Sequence, residues 1–273
     1  MMHTTLVSTQ QLADHLREWR IFDCRHDLMK PDLGAQQYRE AHIPGALFAH
    51  MEHDLSAAKT GKNGRHPLPD PATFAAWLGK QGLGKDDQVV CYDTANGSTA
   101  ARLWWMLRWV GHQKVAVLDG GLAKWTKEGR PVDAAVPRFK PTHYAAGKGA
   151  GTVSADGVSR SPMLLDARAP VRWRGEQEPI DPIAGRIPGA KNRFNMENVS
   201  PDGTFKSSAE LKSAFQAILK NQAPDDVVHY CGSGVAACHN LLAMEVAGLT
   251  GGKLYPGSWS EWIADPSRPR EKG

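Results

Sequence analysis

The chain repeats itself, and this duplication constrains its fold more than any other feature of the sequence. Five short segments of the first half recur in the same order in the second half, each about half a chain later. A period this long indicates a duplicated domain rather than a solenoid unit, and 273 residues are enough for two domains. The matched segments are 6–9 with 152–155, 22–25 with 165–168, 42–46 with 186–190, 89–93 with 227–231, and 118–121 with 255–258.

Short apolar runs alternate with helical patterns in each half. The runs are typical of buried strands, and residues 99–110 are typical of a mostly buried helix. Such alternation predicts a parallel sheet with helices on both faces. The strand patterns in the first half are Ile21–Phe22, Val89–Val90 and Val115–Leu118.

Residues 131–151 carry little periodicity and are rich in Pro, Gly and Ala, which is typical of a linker. The sequence therefore predicts an α/β protein of two tandem domains. We place the first domain at residues 1–140 and the second at residues 150–273.

Composition excludes several classes of function. Charged residues make up 23% of the chain and hydrophobic residues 41%, as in ordinary soluble proteins. The balance of 33 basic to 29 acidic residues, without a dense basic run, does not suggest a nucleic-acid surface. We expect no signal peptide and no membrane span. The four cysteines have no metal-binding or Cys-x-x-Cys spacing, so a cytoplasmic protein with reduced thiols is expected.

Cys231 stands at a turn from a strand to a helix. The apolar run 227–230 precedes it, and a helical pattern begins near Ala237. Gly232 and Gly234 let the backbone curl so that amide groups point inward, and these amides and the helix N-terminus favour negative charge on the sulfur. Thiolate is the nucleophilic form of cysteine. We predict that Cys231 is a nucleophile; the alternative is a buried structural cysteine.

The first half has Asp93 at the position that matches Cys231. A longer loop, residues 94–98, follows it. A carboxylate cannot perform thiolate chemistry, so the first domain is predicted to be non-catalytic. We expect it to provide support and one wall of the cleft.

These motifs together resemble the two-domain rhodanese-type sulfurtransferases over nearly the full chain. The Asp-x-Arg and Ile-Pro-Gly-Ala segments occur twice, and the loop 231–236 is the most specific match. Members that act on thiosulfate usually have basic residues directly after the cysteine, whereas members that act on 3-mercaptopyruvate usually have Gly-Ser-Gly-Val-Thr. This chain has Gly-Ser-Gly-Val and then Ala236. The resemblance favours 3-mercaptopyruvate and leaves thiosulfate open.

The resemblance implies two tandem rhodanese-like domains and a double displacement. Cys231 takes the outer sulfur of a small anionic donor as a persulfide, and the loop amides stabilise the charged sulfur. Cyanide, a thiol or a thioredoxin-like protein then accepts the sulfur. No metal and no cofactor are implied. The loop residues expected to bind substrate are Gly232, Gly234, Val235 and Ala236.

Two arginines are candidates for binding the donor. Arg172 lies where the family has its substrate-binding arginine, and the planar guanidinium fork suits a carboxylate; the alternative is a surface salt bridge. Members that use 3-mercaptopyruvate often have a second arginine a few residues further on, where this chain has Ile180. Arg186 replaces a family histidine and is predicted to reach the same anion.

His66 matches a family position at the border of the active cleft. A histidine there could move a proton between substrate and thiol. With Ser233 and Asp54 it would form a relay that resembles a protease triad. The alternatives are a loop histidine and a solvated aspartate.

Two other functions also use a cysteine in such a loop. A cysteine phosphatase is disfavoured, because it would need an arginine six residues after its cysteine, and residue 237 is alanine. A carrier module that passes persulfide to a partner protein would also keep Cys231.

The other cysteines, Cys24, Cys91 and Cys238, and the strand residue His229 are predicted to be structural.

Overall fold

A computed structural model describes residues 2–273 and divides them into two compact units. The first unit runs up to Ala57 and adds Pro69–Ala150 and Ser200–Phe205. The second unit comprises Ala58–Leu68, Gly151–Val199 and Lys206–Gly273. Within residues 2–273, every helix is too short or too polar to span a membrane.

The first unit is built on a five-stranded parallel sheet in the order β1-β5-β4-β2-β3. All four residues of the central strand β4 are buried, and alternate residues of a strand face opposite sides, so both faces of the sheet are covered. The strands are β1 (Leu6–Val7), β2 (Arg20–Asp23), β3 (Ala46–Phe48), β4 (Val89–Tyr92) and β5 (Val115–Leu118). The helices are α1 (Thr9–Asp14), α2 (Leu33–Glu40), α3 (Pro71–Lys80), α4 (Ala100–Trp109) and α5 (Gly121–Lys127).

The second unit repeats this plan with four parallel strands in the order β7-β6-β8-β9. A single bridge between Thr152 and Leu254 stands where β1 pairs with β5 in the first unit. The strands are β6 (Met163–Asp166), β7 (Lys191–Asn192), β8 (Val227–Tyr230) and β9 (Lys253–Leu254). The helices are α6 (Ala155–Val158), α7 (Pro170–Trp173), α8 (Ser208–Leu219), α9 (Ala236–Val246) and α10 (Ser258–Trp262), with 3₁₀ turns at Asn195–Asn198 and Pro224–Asp226.

The predicted α/β duplication is confirmed, and equivalent contacts recur in the two units. Asp23 binds the guanidinium of Arg25 in the first unit, and Asp166 binds that of Arg168 in the second, both pairs at 2.7 Å. The amide of the isoleucine in each Ile-Pro-Gly-Ala segment donates to a tyrosine hydroxyl at 3.2 Å, Tyr92 in the first unit and Tyr230 in the second. These buried pairs explain why the motifs recur together.

The segment interpreted as the linker packs along the first unit. Thr142 donates its amide hydrogen to Gly79 at 2.9 Å, Gly147 donates to Val110 at 2.8 Å, and Ala150 donates to Arg108 at 3.1 Å. Because these backbone groups are paired, residues up to Ala150 belong to the fold of the first unit and do not form a flexible linker.

Two segments belong to the unit that the sequence division did not assign to them. Residues 58–68 are part of the second unit, and residues 200–205 are part of the first. Residues 58–68 are attached to the second unit by the Arg65 amide, which donates to Oγ of Ser260 at 3.0 Å. Residues 200–205 are attached to the first unit by the Phe205 amide, which donates to Asp119 at 2.8 Å.

Candidate active site

The Cys231 loop connects β8 to α9 in the second unit. The Cys231 side chain is buried, and the amide of Gly234 donates to its Sγ at 3.1 Å. Gly234 has a φ of +79°, and a Cβ there would lie 2.4 Å from the carbonyl oxygen of Pro256, so only glycine fits. Val235 precedes the first helical residue, Ala236, and the sulfur thus lies near the N-terminus of an 11-residue helix. The Gly234 amide and the N-terminus of this helix thus both direct partial positive charge towards the sulfur.

The loop is clamped by residues 257–260. The carbonyl of Cys231 accepts from the amide of Trp259 at 3.0 Å, and the carbonyl of Gly232 accepts from that of Ser260 at 2.9 Å. The amide of Cys231 donates to Oγ of Ser258 at 3.1 Å. These contacts fix the backbone on both sides of the sulfur.

Ser258 was missed by sequence reasoning. Its φ of +56° lies in the left-handed region, which is uncommon for a residue with a side chain. The repeat offered a signal, because the matching residue of the first unit is Gly121, whose φ is also +56°. A shared left-handed corner therefore follows the last strand of both sheets.

His66 and Ser233 are brought together in the second unit. Nδ1 of His66 lies 2.8 Å from Oγ of Ser233, and both residues are buried. The sequence placed His66 in the first half of the chain, but the segment 58–68 that contains it is part of the second unit. The pair can pass a proton, since a hydroxyl and an imidazole nitrogen each donate or accept.

Asp54, the third predicted member of the relay, belongs to the first unit. Its carboxylate accepts a hydrogen bond from the amide of His50 at 2.8 Å. Burial raises the pKa of Asp54, and hydrogen bonding and the nearby His50 ring partly offset that rise. In the first unit Asp54 closes the turn that follows β3.

Arg172 lies beside the Cys231 loop at the end of α7. Its Nη2 would be 3.6 Å from a Cβ placed on Gly232. The guanidinium bonds Glu178 at 2.6 Å and Asp181 at 3.1 Å. Burial acts to raise the pKa of Glu178, but Arg172 and backbone amides outweigh it and hold that pKa below its usual range. The Arg172 side chain is only 15% exposed, so the ion pair is well shielded from water.

Arg186 makes its described contacts away from the Cys231 loop. Its guanidinium pairs with Glu271, donates to the carbonyl of Gly273 at 2.5 Å, and lies 4.1 Å above the ring of Trp173. Ile180 is 36% exposed. The structure thus places Arg172 at the loop and engages Arg186 elsewhere in the second unit.

A second guanidinium, that of Arg65, also lies beside the Cys231 loop, and no sequence motif predicted it. Nη2 of Arg65 would be 2.9 Å from a Cβ on Gly232, and Nη1 of Arg65 bonds Asp181 at 2.5 Å. No local pattern marks Arg65, because its contacts with Ser260 and Asp181 join positions far apart in the sequence. A side chain at position 232 would require the Arg65 guanidinium to shift.

The remaining cysteines and His229 occupy buried positions. All four cysteines are free. The Cys238 thiol donates to the carbonyl of Gly234 at 3.2 Å, and burial raises the pKa of Cys24 well above its usual range. Burial lowers the pKa of His229 to about 3, so its ring is neutral in the folded protein. Nε2 of His229 lies 3.1 Å from the sulfur of Met244.

A histidine cluster in the first unit could be taken for a metal centre. Ligand atoms of Asp32, His50 and His53 lie within 4.8 Å of one another. The amide of Glu52, however, donates to Nδ1 of His50 at 3.1 Å, which leaves the ring proton on Nε2. That nitrogen is the one that faces Asp32, at 3.5 Å. The arrangement favours a polar contact between this N–H group and the Asp32 carboxylate over metal ligation.

In the first unit, the loop between β4 and α4 holds a carboxylate through its backbone amides. Asp93 stands after β4, where the second unit has Cys231. One carboxylate oxygen accepts from the amides of Ala95 at 3.1 Å and Gly97 at 3.0 Å, and the other accepts from those of Thr99 at 2.9 Å and Ala100 at 3.2 Å. A ring of backbone amides therefore holds negative charge at this point of the fold.

Comparison with known proteins gives consistent results over the whole chain. The family described as the Rhodanese-like domain matches residues 8–128 and 153–265. A protein of Pseudomonas aeruginosa named a probable 3-mercaptopyruvate sulfurtransferase is 46% identical over 283 residues, covering 100% of both chains. The thiosulfate sulfurtransferase of Cricetulus griseus is 34% identical over 96% of this chain and 93% of its own. The structure of 3-mercaptopyruvate sulfurtransferase from Leishmania major superposes with a TM-score of 0.86 at 30% identity, over 95% of this chain and 74% of that one.

Proposed function

The chain belongs to the rhodanese family of sulfurtransferases, and we propose that it takes sulfane sulfur from 3-mercaptopyruvate onto Cys231. The relatives are named as enzymes, which favours turnover over a carrier module. The observation that carries the proposal is the hydrogen bond from the Gly234 amide to Sγ of Cys231 at a helix N-terminus. A thiolate, and then a persulfide, would be stabilised there without any further group.

The first half-reaction is a displacement at sulfur. The Cys231 thiolate attacks the sulfur of 3-mercaptopyruvate and forms the S–S bond of a persulfide. The carbon–sulfur bond breaks, its electron pair leaves with the carbon skeleton as the enolate of pyruvate, and a proton completes pyruvate. The amide ring around Asp93 supports this role for the loop, because a persulfide anion needs the same donors as a carboxylate.

His66 and Ser233 are proposed to deliver that proton. Their 2.8 Å contact joins the hydroxyl of Ser233, two residues after Cys231, to a buried imidazole. This proposal is confined to His66 and Ser233, which lie in the same unit.

The second half-reaction returns Cys231 to the thiolate. We propose that a small thiol, cyanide or a thioredoxin-like protein attacks the outer sulfur of the persulfide. The S–S bond to Cys231 then breaks, and the acceptor leaves with the sulfur. Four free cysteines favour a compartment that keeps thiols reduced, so the cytoplasm is the proposed location.

The test is sulfur transfer to cyanide from 3-mercaptopyruvate and from thiosulfate, measured side by side. We expect the wild type to prefer 3-mercaptopyruvate and Cys231→Ser to be inactive with both donors. Cys91→Ser is the matched control, because Cys91 is an equally buried cysteine on β4 of the first unit and should keep its activity. Turnover in Cys231→Ser would refute the mechanism, and preference for thiosulfate would refute the donor.

A further inference from the structure

We propose that Arg65 is a specificity-determining residue, which together with Arg172 binds the carboxylate of the sulfur donor beside Gly232. This inference rests on the proposed function and names the group that selects the donor. Nothing in the motif pattern assigns Arg65 a role. Its backbone anchor, the position of its guanidinium and its unused donors support this role.

The backbone of Arg65 is anchored to the Cys231 loop through one residue. The Arg65 amide donates to Oγ of Ser260 at 3.0 Å, and the Ser260 amide donates to the carbonyl of Gly232 at 2.9 Å. Gly64 has a φ of +86°, and a Cβ there would lie 2.8 Å from the carbonyl oxygen of Gly257. The segment thus lies flat against residues 257–260, which fixes Arg65 relative to the nucleophile.

The guanidinium groups of Arg65 and Arg172 converge on Gly232. Their Nη2 atoms would be 2.9 Å and 3.6 Å from a Cβ at that position. Asp181 bridges the two, with Oδ1 at 2.5 Å from Arg65 and Oδ2 at 3.1 Å from Arg172. A carboxylate therefore already fits between these two cations, one residue from Cys231.

Arg65 keeps donor capacity that the protein does not use. Asp181 bonds Nη1, whereas Nη2 faces Gly232, and Nε is buried without a hydrogen-bond partner among residues 2–273. An unpaired buried donor is costly, and a substrate oxygen would satisfy it. Arg172 differs, because Glu178 takes both its Nε and its Nη2. Arg65 is thus the better placed of the two to bind an incoming carboxylate.

The chemistry of the site favours a sulfur donor that carries a carboxylate over thiosulfate. A guanidinium fork matches the planar, two-oxygen geometry of a carboxylate. In 3-mercaptopyruvate the carboxylate is separated from the sulfur by two carbon atoms, so it can reach Gly232 while the sulfur is at Cys231. In thiosulfate the charged oxygens are on the atom bonded to the outer sulfur, closer to the loop amides. Loss of Arg65 should therefore affect the first donor more.

The experiment compares Arg65→Gln with Arg65→Lys and with Arg174→Gln. Arg174 is the matched control, because it is an exposed arginine of the same unit that pairs with Glu176. We expect Arg65→Gln to raise KM for 3-mercaptopyruvate about tenfold to a hundredfold, with kcat within about threefold of wild type. Arg65→Lys keeps the charge without the fork and should be intermediate. KM for thiosulfate should change much less.

Pyruvate binding to Cys231→Ser, measured by calorimetry, tests Arg65 without turnover. Adding Arg65→Gln to that protein should weaken pyruvate binding by the same factor as KM rises, and adding Arg174→Gln should leave it unchanged. Equal pyruvate affinity with and without Arg65, in proteins with equal melting temperatures, would overturn the inference. A wild type that transfers sulfur from neither donor would refute the proposed function, while the pyruvate comparison would still decide the role of Arg65.

Discussion

Ser258 has a strained backbone conformation at a position where the first repeat has a glycine. Gly121 and Ser258 share a φ of +56°, which glycine adopts freely and serine adopts at a cost of about 1–2 kcal/mol. The second unit keeps the serine because its Oγ accepts the Cys231 amide and donates to the carbonyl of Tyr255 at 3.0 Å. The matching residue of the first unit, Gly121, has no hydroxyl to make these two bonds.

Substitution of Ser258 should separate strain from hydrogen bonding. Ser258→Ala keeps the strain and leaves the buried Cys231 amide unpaired, which should cost about 1–3 kcal/mol of stability. Ser258→Gly loses the same bond but relieves the strain, so it should melt above Ser258→Ala. Both should reduce sulfur transfer, because the amide no longer fixes the loop. Thermal melting and the rate with 3-mercaptopyruvate check this; equal melting of the two variants would remove the role assigned to strain.

At the scale of elements, β8 and α9 flank the proposed nucleophile, Cys231, and are almost wholly buried. All four residues of β8 are buried, and so are residues 237–244 of α9. Such burial rigidly positions the loop between them, but it also encloses His229. Nδ1 of the His229 ring has no hydrogen-bond partner among residues 2–273, and burial lowers the pKa of the ring so that it stays neutral.

The burial of His229 should make stability depend on pH. The pKa of His229 falls from its ordinary 6.5 in the unfolded chain to about 3 in the folded protein, so below pH 6.5 the unfolded chain binds a proton that the folded protein does not. Stability should therefore fall as the pH drops from 6.5 towards 3, by about 1.4 kcal/mol per pH unit from this residue.

His229→Leu should flatten this dependence. Leucine has no titrating group and a volume close to that of histidine, and it removes an unpaired buried nitrogen. Urea unfolding of both proteins at pH 7 and pH 5 measures the difference. An unchanged pH slope in His229→Leu would mean that other groups dominate the acid loss of stability.

Sequence patterns could predict those elements that local periodicity and the repeat define. The strand before Cys231, the glycines of its loop and the start of α9 follow from apolar runs and from glycine positions. Arg65 and Ser258 could not be found in this way, because their importance depends on contacts with residues far away in the sequence. Ser260 lies 195 residues from Arg65, and no periodic pattern connects the two.

At the scale of the whole molecule, the duplication preserves an anion-binding loop in both units. In the second unit the proposed occupant is the sulfur of Cys231, as a thiolate and then as a persulfide. In the first unit it is the permanent carboxylate of Asp93, which accepts from four backbone amides. We therefore expect the same loop geometry to serve the proposed catalysis in the second unit and stability in the first.

Asp93→Asn should therefore destabilise the first unit without removing the nucleophile. An asparagine accepts through only one of its two terminal atoms, and its NH₂ would face amide donors on one side of the loop. The resulting unpaired amides should cost about 1–3 kcal/mol. Asp119→Asn is the matched control, because Asp119 accepts the Phe205 amide through one oxygen and asparagine can replace it.

Calorimetric melting should show a lower transition for Asp93→Asn than for Asp119→Asn, while Cys231 persulfide formation well below the transition stays near the wild-type rate. Persulfide formation lost at a temperature where the protein is folded would instead make Asp93 part of the catalytic machinery. An unchanged melting temperature would show that the amide ring of the first unit does not need a charge. The two repeats would then differ in more than the anion they hold.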